Sequence, residues 1–152
     1  MLNKLFTLVL FLFLTSCGYE AIYSKKNYTN YEFSISELIF IGERNVNLKI
    51  KQGLNNYTSR EKGKKLIVEI TSDEKKKSIE KDATGDPTKF KITIEINVKV
   101  VRDDSRNNFV MKESFTYDNN SNKLELTEYE NEIINNLTEI ITEKIIFKLS
   151  VL

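Results

Sequence analysis

The sequence predicts an α+β fold with the element order βαβββα, in which two helices pack on one face of a four-stranded mixed sheet. Two patterns carry this prediction. In residues 90–100, apolar and polar side chains alternate without interruption, as expected for a strand that buries one face. In residues 129–149, apolar side chains recur at helical spacing over about six turns, which predicts a long helix with a wide apolar face.

The elements that precede this strand follow from shorter patterns. Residues 31–41 alternate and then become continuously apolar, which predicts a first strand. Residues 44–57 carry apolar side chains at helical spacing and predict an amphipathic helix, which Gly53 weakens. Residues 66–71 alternate again and predict the second strand, whose pattern continues less regularly to Ile79.

The elements that follow are separated by clear turn signals. Residues 82–87 contain the only proline and predict a turn, and residues 103–108 predict another. Residues 109–117 between that turn and the long helix predict the fourth strand. Thr127 and Glu130 have the spacing of a capping box, which predicts the start of the final helix.

The composition limits the chemistry that the chain can perform. It has 23 Lys and Arg against 22 Asp and Glu, so its net charge of +1 does not indicate a nucleic-acid partner. It has no histidine, which removes the commonest general base and the commonest neutral metal ligand. A single cysteine cannot form a disulfide framework or a cysteine-based metal site. We therefore expect no cofactor and no metal site.

The N-terminal segment has the pattern of a leader peptide. Lys4 is the only charged residue ahead of the apolar run at residues 5–14, and small residues then lead to Cys17. The run is about half of the roughly 20 residues that a membrane-spanning helix needs. Leu14-Thr15-Ser16-Cys17 is similar to the lipobox of bacterial lipoproteins, in which the cysteine is acylated after cleavage in front of it.

This pattern predicts three parts of the chain. Residues 1–16 are a lipoprotein signal peptide, and residues 17–30 are a tether that is lipidated at Cys17 through an S-diacylglycerol and an N-acyl group. Residues 31–152 are a single α+β domain. Two or three acyl chains give a durable membrane anchor, whereas one chain binds only marginally.

The residues that follow the lipobox resemble a known family. Residues 17–23 read CGYEAIY, which is similar to the C-G-F-x-P-L-Y that often begins LptE-type LPS-assembly lipoproteins. Ala21 and Ile22 depart from that pattern. The predicted strand, helix, three strands and long helix also occur in the order and at the length that this family uses.

The resemblance implies a binding protein and no enzymatic activity. LptE-type proteins sit inside the LptD β-barrel of the outer membrane, where they plug the barrel, support its assembly and assist delivery of lipopolysaccharide to the cell surface. The resemblance thus implies a lipid-anchored protein on the periplasmic side of a Gram-negative outer membrane. Gly18, in place of an aspartate after the cysteine, is compatible with outer-membrane sorting.

A group of lysines is the candidate contact site for lipopolysaccharide, and its members are Lys75, Lys76, Lys77 and Lys81. Two interpretations remain open. The lysines are either a solvated charge run that protects a strand edge, which is the reading that we favour, or point charges that contact lipid A phosphates. A second basic group has the same two interpretations and comprises Arg60, Lys62, Lys64 and Lys65.

Two alternative functions are compatible with the same sequence. The first is an accessory lipoprotein of another envelope machine, such as a lipid-transport ABC system. The second is a lipid-anchored hydrolase that uses the acidic pairs Asp73-Glu74 or Asp103-Asp104. Neither pair has a recognisable metal-ligand spacing, and turn chemistry accounts for Asp103-Asp104.

Overall fold

The structure is a computed structural model that describes residues 32–61 and 63–152. The predicted signal peptide and tether, including Cys17, lie outside the described residues. The elements in chain order are β1 (Phe33–Gly42), α1 (Arg44–Thr58), β2 (Lys64–Lys81), β3 (Pro87–Arg102), β4 (Ser105–Asp118) and α2 (Lys123–Ser150). The predicted order βαβββα is confirmed.

The four strands form one mixed sheet in the order β1-β2-β3-β4. β1 runs parallel to β2, and the other two pairs are antiparallel. α1 is the crossover that a parallel pair requires. α1 packs on β1 and β2, α2 packs on β3 and β4, and the two helices contact each other. Both helices therefore cover the same face of the sheet, as the sequence predicts.

The core lies between this inner face and the helices. β3 contributes an unbroken row of buried side chains, and β2 adds a shorter row beside it. The two rows consist of Ile92, Ile94, Ile96, Val98 and Val100 on β3 and of Leu66, Val68 and Ile70 on β2. Each of these side chains is at most 1% exposed, so the strict alternation of the sequence marks the buried face correctly.

Among the described residues, both helices lie on the inner face, and the outer face of the sheet is largely polar. Cross-strand ion pairs occupy its middle, where Lys99 Nζ lies 2.7 Å from Glu69 Oε1 and Lys112 Nζ lies 2.8 Å from Glu95 Oε2. These pairs are partly exposed, and such pairs contribute about 0–1 kcal/mol each. The buried apolar rows of the inner face therefore contribute more to stability than these ion pairs do.

A bulge in β1 explains why its sequence pattern changes phase. The register with β2 shifts between Ile35 and Glu37, so Ser36 is the extra residue. Phe33 and Ile35 face the core before the bulge, whereas Leu38 packs against the core after it. The continuously apolar end of the first strand is thus an alternating strand shifted by one residue.

Gly53 of α1 lies against Thr142 of α2, where the two helices are in close contact. A Cβ atom at this position would lie 2.6 Å from Cγ2 of Thr142, which is nearer than real Cβ contacts come. Thr142 is buried and its hydroxyl donates to the Thr138 carbonyl, so it has little freedom to move aside. The glycine weakens the helix by about 1 kcal/mol, but it lets the helices pack.

The predicted cap of the long helix is wrong. α2 begins at Lys123, and its N-cap is Asn122, whose Oδ1 accepts from the backbone N–H of Leu124 and Glu125. The side-chain amide Nδ2 of Asn122 also donates to Glu125 Oε1 at 2.7 Å, whereas the Asn122 backbone N–H donates to Asn120 Oδ1. Thr127 lies inside the helix, where its hydroxyl donates to the Lys123 carbonyl.

The turn between β3 and β4 is shorter than the predicted range of 103–108. Arg102 pairs directly with Ser105, so only Asp103 and Asp104 form the loop. Asp103 has a φ of 51°, a conformation that aspartate tolerates better than most residues. The Asn and Ser residues that indicate a turn in the sequence belong to β4.

Candidate functional site

The predicted lysines lie in one half of β2. β1 ends at Gly42, which pairs with Ser72, so β2 is enclosed by two strands only in residues 64–72. We call this segment the proximal half of β2. The distal half, residues 73–81, pairs with β3 alone among the described strands. Lys75, Lys76, Lys77 and Lys81 all lie in the distal half.

The alternation of the strand separates these lysines. Successive side chains of a strand point to opposite faces. Lys76 follows the inner-face parity of Ser72 and Glu74, whereas Lys75 and Lys77 lie on the outer face. The three consecutive lysines are therefore not one cluster.

The register between β2 and β3 places a lysine of β3 beside Lys75 and Lys77. Lys77 on β2 lies directly opposite Lys91 on β3, and Lys75 is next to Lys77 on the same face. We call Lys75, Lys77 and Lys91 the outer-face lysine patch. Hydroxyl side chains complete its neighbourhood, namely Thr93, Ser114 and Thr116. Sequence reasoning missed Lys91, because it is an ordinary polar position of an alternating strand until the pairing register is known.

The electrostatics of the outer-face lysine patch favour an anion. Asp73 forms an ion pair with Lys75, and its hydrogen bond raises the pKa of that lysine. Within residues 32–61 and 63–152, Lys77 and Lys91 take part in no ion pair. Like charges directly opposite each other destabilise a sheet, and ammonium groups are good donors to phosphate. A phosphate placed over Lys77 and Lys91 would relieve this repulsion.

Lys76, in contrast, forms its contacts on the inner face of the sheet. Oε1 of Glu130 accepts from Lys76 Nζ at 2.6 Å and from the Tyr117 hydroxyl at 2.7 Å. Lys76 Nζ also lies 4.6 Å from the centre of the Phe90 ring, which adds a cation–π contact. We call Lys76, Phe90, Tyr117 and Glu130 the Glu130 cluster. Because it ties the β2–β3 hairpin to α2, Lys76 serves the fold.

The buried tyrosine of the Glu130 cluster has a perturbed acidity. Burial, followed by the hydrogen bond to the Glu130 carboxylate, raises the pKa of Tyr117 above its usual range. Tyr117 is 4% exposed and stacks on Phe90 at 5.8 Å between ring centres. Its hydroxyl therefore acts as a fixed donor. Sequence reasoning missed these contacts, because Tyr117 has the pattern of an ordinary strand residue and Glu130 is predicted to belong to a helix cap.

The acidic residues of Asp73-Glu74 and Asp103-Asp104 do not come together as a site of paired carboxylates. Asp73 faces outward with Lys75, whereas Glu74 faces the helices. Burial raises the pKa of Glu74, and the charges of Glu43 and Glu130 raise it further. Asp103 forms the turn at the other end of β3. Within the part of the chain that the structure describes, no three Asp, Glu, Cys or His side chains could hold a metal ion together.

The second predicted basic group lies at the start of β2, far along the strand from the outer-face lysine patch. Arg60 lies over the ring of Tyr57 at 4.9 Å, and Lys64 and Lys65 begin the strand. Lys62 lies outside the described residues. The structure therefore gives this group no convergent geometry among the positions that it describes.

The comparisons with known proteins identify the fold. No family model and no curated protein sequence matches the chain. Rare lipoprotein B from Shewanella oneidensis has a similar structure, with a TM-score of 0.60 at 7% identity over 76% of this chain and 94% of that chain. A minor lipoprotein from Acinetobacter baumannii matches with a TM-score of 0.50 at 10% identity over 74% of this chain and 94% of its own. The chain shares the fold of these proteins.

None of the helices in the described residues is long and apolar enough to cross a membrane. α2 is the longest helix, and its buried residues face the sheet.

Proposed function

We propose that this chain is an outer-membrane lipoprotein of the LptE type, anchored through Cys17 on the periplasmic side. It plugs and assists assembly of the LptD β-barrel and takes part in lipopolysaccharide transport to the cell surface. The observation that carries the proposal is the fold shared with rare lipoprotein B over 94% of the chain in that solved structure. The role is non-catalytic, because the protein acts by fitting and holding its partner.

The N-terminal sequence supports an envelope lipoprotein independently of the fold. An apolar run ends in Leu14-Thr15-Ser16-Cys17, and the residues after Cys17 resemble the start of LptE-type proteins. The structurally similar proteins from Shewanella oneidensis and Acinetobacter baumannii are both described as lipoproteins. A lipid anchor and this fold thus occur together in known proteins.

The outer face of the sheet supports a protein partner and an anionic lipid. Near the proximal half of β2 it exposes Ile39, Ile41 and Ile67, each 39–50% exposed. Contiguous exposed apolar side chains are typical of contact sites with other proteins. Toward the hairpin the same face carries the outer-face lysine patch, whose ammonium groups suit lipid A phosphates. One face therefore offers a surface for the barrel and a surface for lipopolysaccharide.

The decisive experiment is affinity purification of the full-length tagged protein from detergent-solubilised membranes of its own bacterium. We expect a large β-barrel to co-purify, and depletion of the protein to leave that barrel misassembled and surface lipopolysaccharide reduced. Mass spectrometry of the N-terminal peptide should find the acyl groups on Cys17.

Cys17→Ser is the matched variant, because it changes one atom and removes the acylated thiol. It should lose the acyl groups and fail to restore surface lipopolysaccharide in depleted cells. Recovery of an inner-membrane transporter in place of a barrel would contradict the proposal and favour another envelope machine. Normal surface lipopolysaccharide after depletion would also contradict it.

A further inference from the structure

A cleft lies between the N-terminal parts of the two helices. Gly53 of α1 contacts Thr142 of α2, and the residues that line the cleft precede this contact on both helices. They are Asn45, Leu48, Lys49 and Gln52 on α1 and Asn131, Ile134 and Asn135 on α2. Each set has the spacing of side chains on one face of a helix. The cleft has a volume of about 380 Å³, which is within the range of small-molecule sites.

Glu74, in the distal half of β2, lines the cleft from the side of the sheet. It lies opposite Ile94 on the inner face and is half-buried. In the part of the chain that the structure describes, its carboxylate takes part in no hydrogen bond or ion pair. Burial raises the pKa of Glu74, and the charges of Glu43 and Glu130 raise it further. A hydrogen-bond donor that entered the cleft would stabilise the ionised carboxylate.

Four side-chain amides line the same cleft, and they belong to Asn45, Gln52, Asn131 and Asn135. Among residues 32–61 and 63–152, none of these amides has a hydrogen-bond partner. Each amide offers one acceptor oxygen and two donor N–H groups. The cleft therefore offers donors and acceptors from both helices and an additional acceptor from the sheet.

The composition of the lining indicates the class of ligand. The described lining contains one carboxylate, Glu74, and one ammonium group, Lys49, so it has no net charge. It contains no aromatic, Met or Arg side chain, although these residues are enriched in protein interfaces. Leu48 is 47% exposed and, with the partly buried Ile134, supplies a small apolar surface. A small uncharged molecule with many hydroxyl groups fits this lining better than an ion or a protein surface.

We propose that the cleft between α1 and α2 binds an uncharged sugar. A sugar hydroxyl both donates and accepts, so two adjacent hydroxyls pair with the oxygen and the N–H of one amide. Another hydroxyl donates to Glu74, and the C–H groups of the ring pack on Leu48 and Ile134. The cleft and the outer-face lysine patch lie on opposite faces of the sheet. The proposal is therefore independent of the lipid anchor, the barrel and any phosphate site.

The test follows the side-chain amide signals of the full chain by nitrogen–hydrogen correlation NMR in a detergent without sugar groups. Glucose, galactose and N-acetylglucosamine are titrated separately. We expect at least one of them to shift the signals of the four cleft amides in a saturable manner. Asn56 and Asn136 are internal controls, because they are exposed amides of the same two helices outside the cleft lining. Saturable shifts with none of the sugars, or equal shifts of the control amides, would overturn the proposal.

Charged sugars test the class of ligand. Glucosamine and glucuronate have the same ring as glucose, with an added positive or negative charge. Because the lining has no net charge, we expect both to bind more weakly than the best uncharged sugar. Tighter binding of glucosamine would assign the cleft to cations, and tighter binding of glucuronate would assign it to anions. Either result would overturn the proposal.

Matched variants locate the site on the protein. Asn131→Leu should lower the affinity for the best sugar by about tenfold, because it removes a donor and an acceptor. Asn136→Leu makes the same change on the same helix outside the cleft lining and should leave the affinity unchanged. Equal affinities of these two variants would contradict the proposal.

Glu74→Gln separates sugar binding from stability. The variant keeps the shape of the side chain and should lower the affinity by about fivefold, since hydrogen bonds to a charged group are stronger than those to a neutral one. It also relieves the repulsion from Glu43 and Glu130, so thermal denaturation should show no loss of stability. An unchanged affinity for the sugar would contradict the role of Glu74 in the cleft.

Discussion

The two halves of β2 differ in role, because the proximal half is part of the buried core and the distal half carries exposed charges. In the proximal half the inner row consists of Leu66, Val68 and Ile70, which are at most 1% exposed beneath α1 and between two strands. In the distal half the same row continues with Glu74 and Lys76, and β3 is the only described strand beside it. The backbone is continuous, but the neighbours differ.

This difference separates stability from recognition. The proximal half buries apolar area, which contributes about 25 cal/mol per Å². The distal half places Lys77 opposite Lys91, an arrangement that costs stability. The repulsion between Lys77 and Lys91 has a simple explanation if the two lysines bind an anionic partner.

The strongest test of the comparison makes the same substitution in each half. Ile70→Ala removes a fully buried side chain that lies between Phe40 and Val98, and should lower the free energy of unfolding by about 2–5 kcal/mol. Ile79→Ala deletes the same atoms from a side chain that is 51% exposed, and should cost less than about 1 kcal/mol. Urea denaturation of the full chain measures both. Similar losses would mean that the distal half is as deeply packed as the proximal half.

The sequence predicts the proximal half and the core well, because both depend on side-chain periodicity. The alternation in β3 matches the buried face, and so does most of the helical repeat in α2, although Tyr129 and Ile140 of that repeat are 44% and 43% exposed. The sequence shows that the pattern of β1 changes phase, but it does not identify the bulge at Ser36, because the bulge depends on how β1 pairs with β2. The helix cap was misplaced because Thr127-x-x-Glu130 and Asn122-x-x-Glu125 both have the capping spacing, and only the second coincides with the end of the loop.

The distal half could not be predicted to the same degree. Four nearby lysines look like one cluster in the sequence, but strand geometry puts Lys76 on the inner face and leaves Lys75 and Lys77 on the outer face. Lys91 joins them through a pairing that is separated by a hairpin. Glu130 reaches Lys76 from a different element, 54 positions away along the chain. Contacts of this kind depend on register and on tertiary packing.

A smaller effect tests the connection between the distal half and α2. Tyr117→Phe removes the hydroxyl that donates to Glu130, and should lower the free energy of unfolding by about 1.5–3 kcal/mol, as for a hydrogen bond to a charged group. Tyr129→Phe is the control, because its ring is 44% exposed and packs edge-on against Tyr117. If the two variants were equally stable, the Glu130 cluster would not hold the hairpin to the helix.

The same variant should change the alkaline pH dependence of stability. Tyr117 ionises near pH 10 in the unfolded chain, and burial with the Glu130 bond raises its pKa in the folded protein. The folded state therefore keeps a proton that the unfolded state loses, so this contribution is complete below about pH 10 and declines as the pH rises above it. Tyr117→Phe should have a flatter decline than the unsubstituted protein between about pH 10 and 11. An identical decline would exclude this role for Tyr117.

The smallest expected change in stability has the opposite sign and bears directly on function. Lys77→Glu replaces the like-charge pair with Lys91 by an attractive pair, and should raise the free energy of unfolding by about 0.2–1 kcal/mol. The same change should weaken binding of purified lipopolysaccharide, and high salt should reduce the difference. Lys65→Glu is the matched control, because it makes the same charge change on the outer face at the other end of β2, opposite Ser34.

These two readouts together distinguish the interpretations of the lysines. If Lys77 only protects the strand edge, Lys77→Glu should leave lipopolysaccharide binding equal to that of Lys65→Glu, and its main consequence should be aggregation. If Lys77 binds phosphate, Lys77→Glu should be more stable and should bind less lipopolysaccharide. The substitution removes the repulsion from Lys91, and it also removes one of the two positive charges that hold the anion. Increased stability with reduced binding is the combination that an edge-protecting lysine cannot produce.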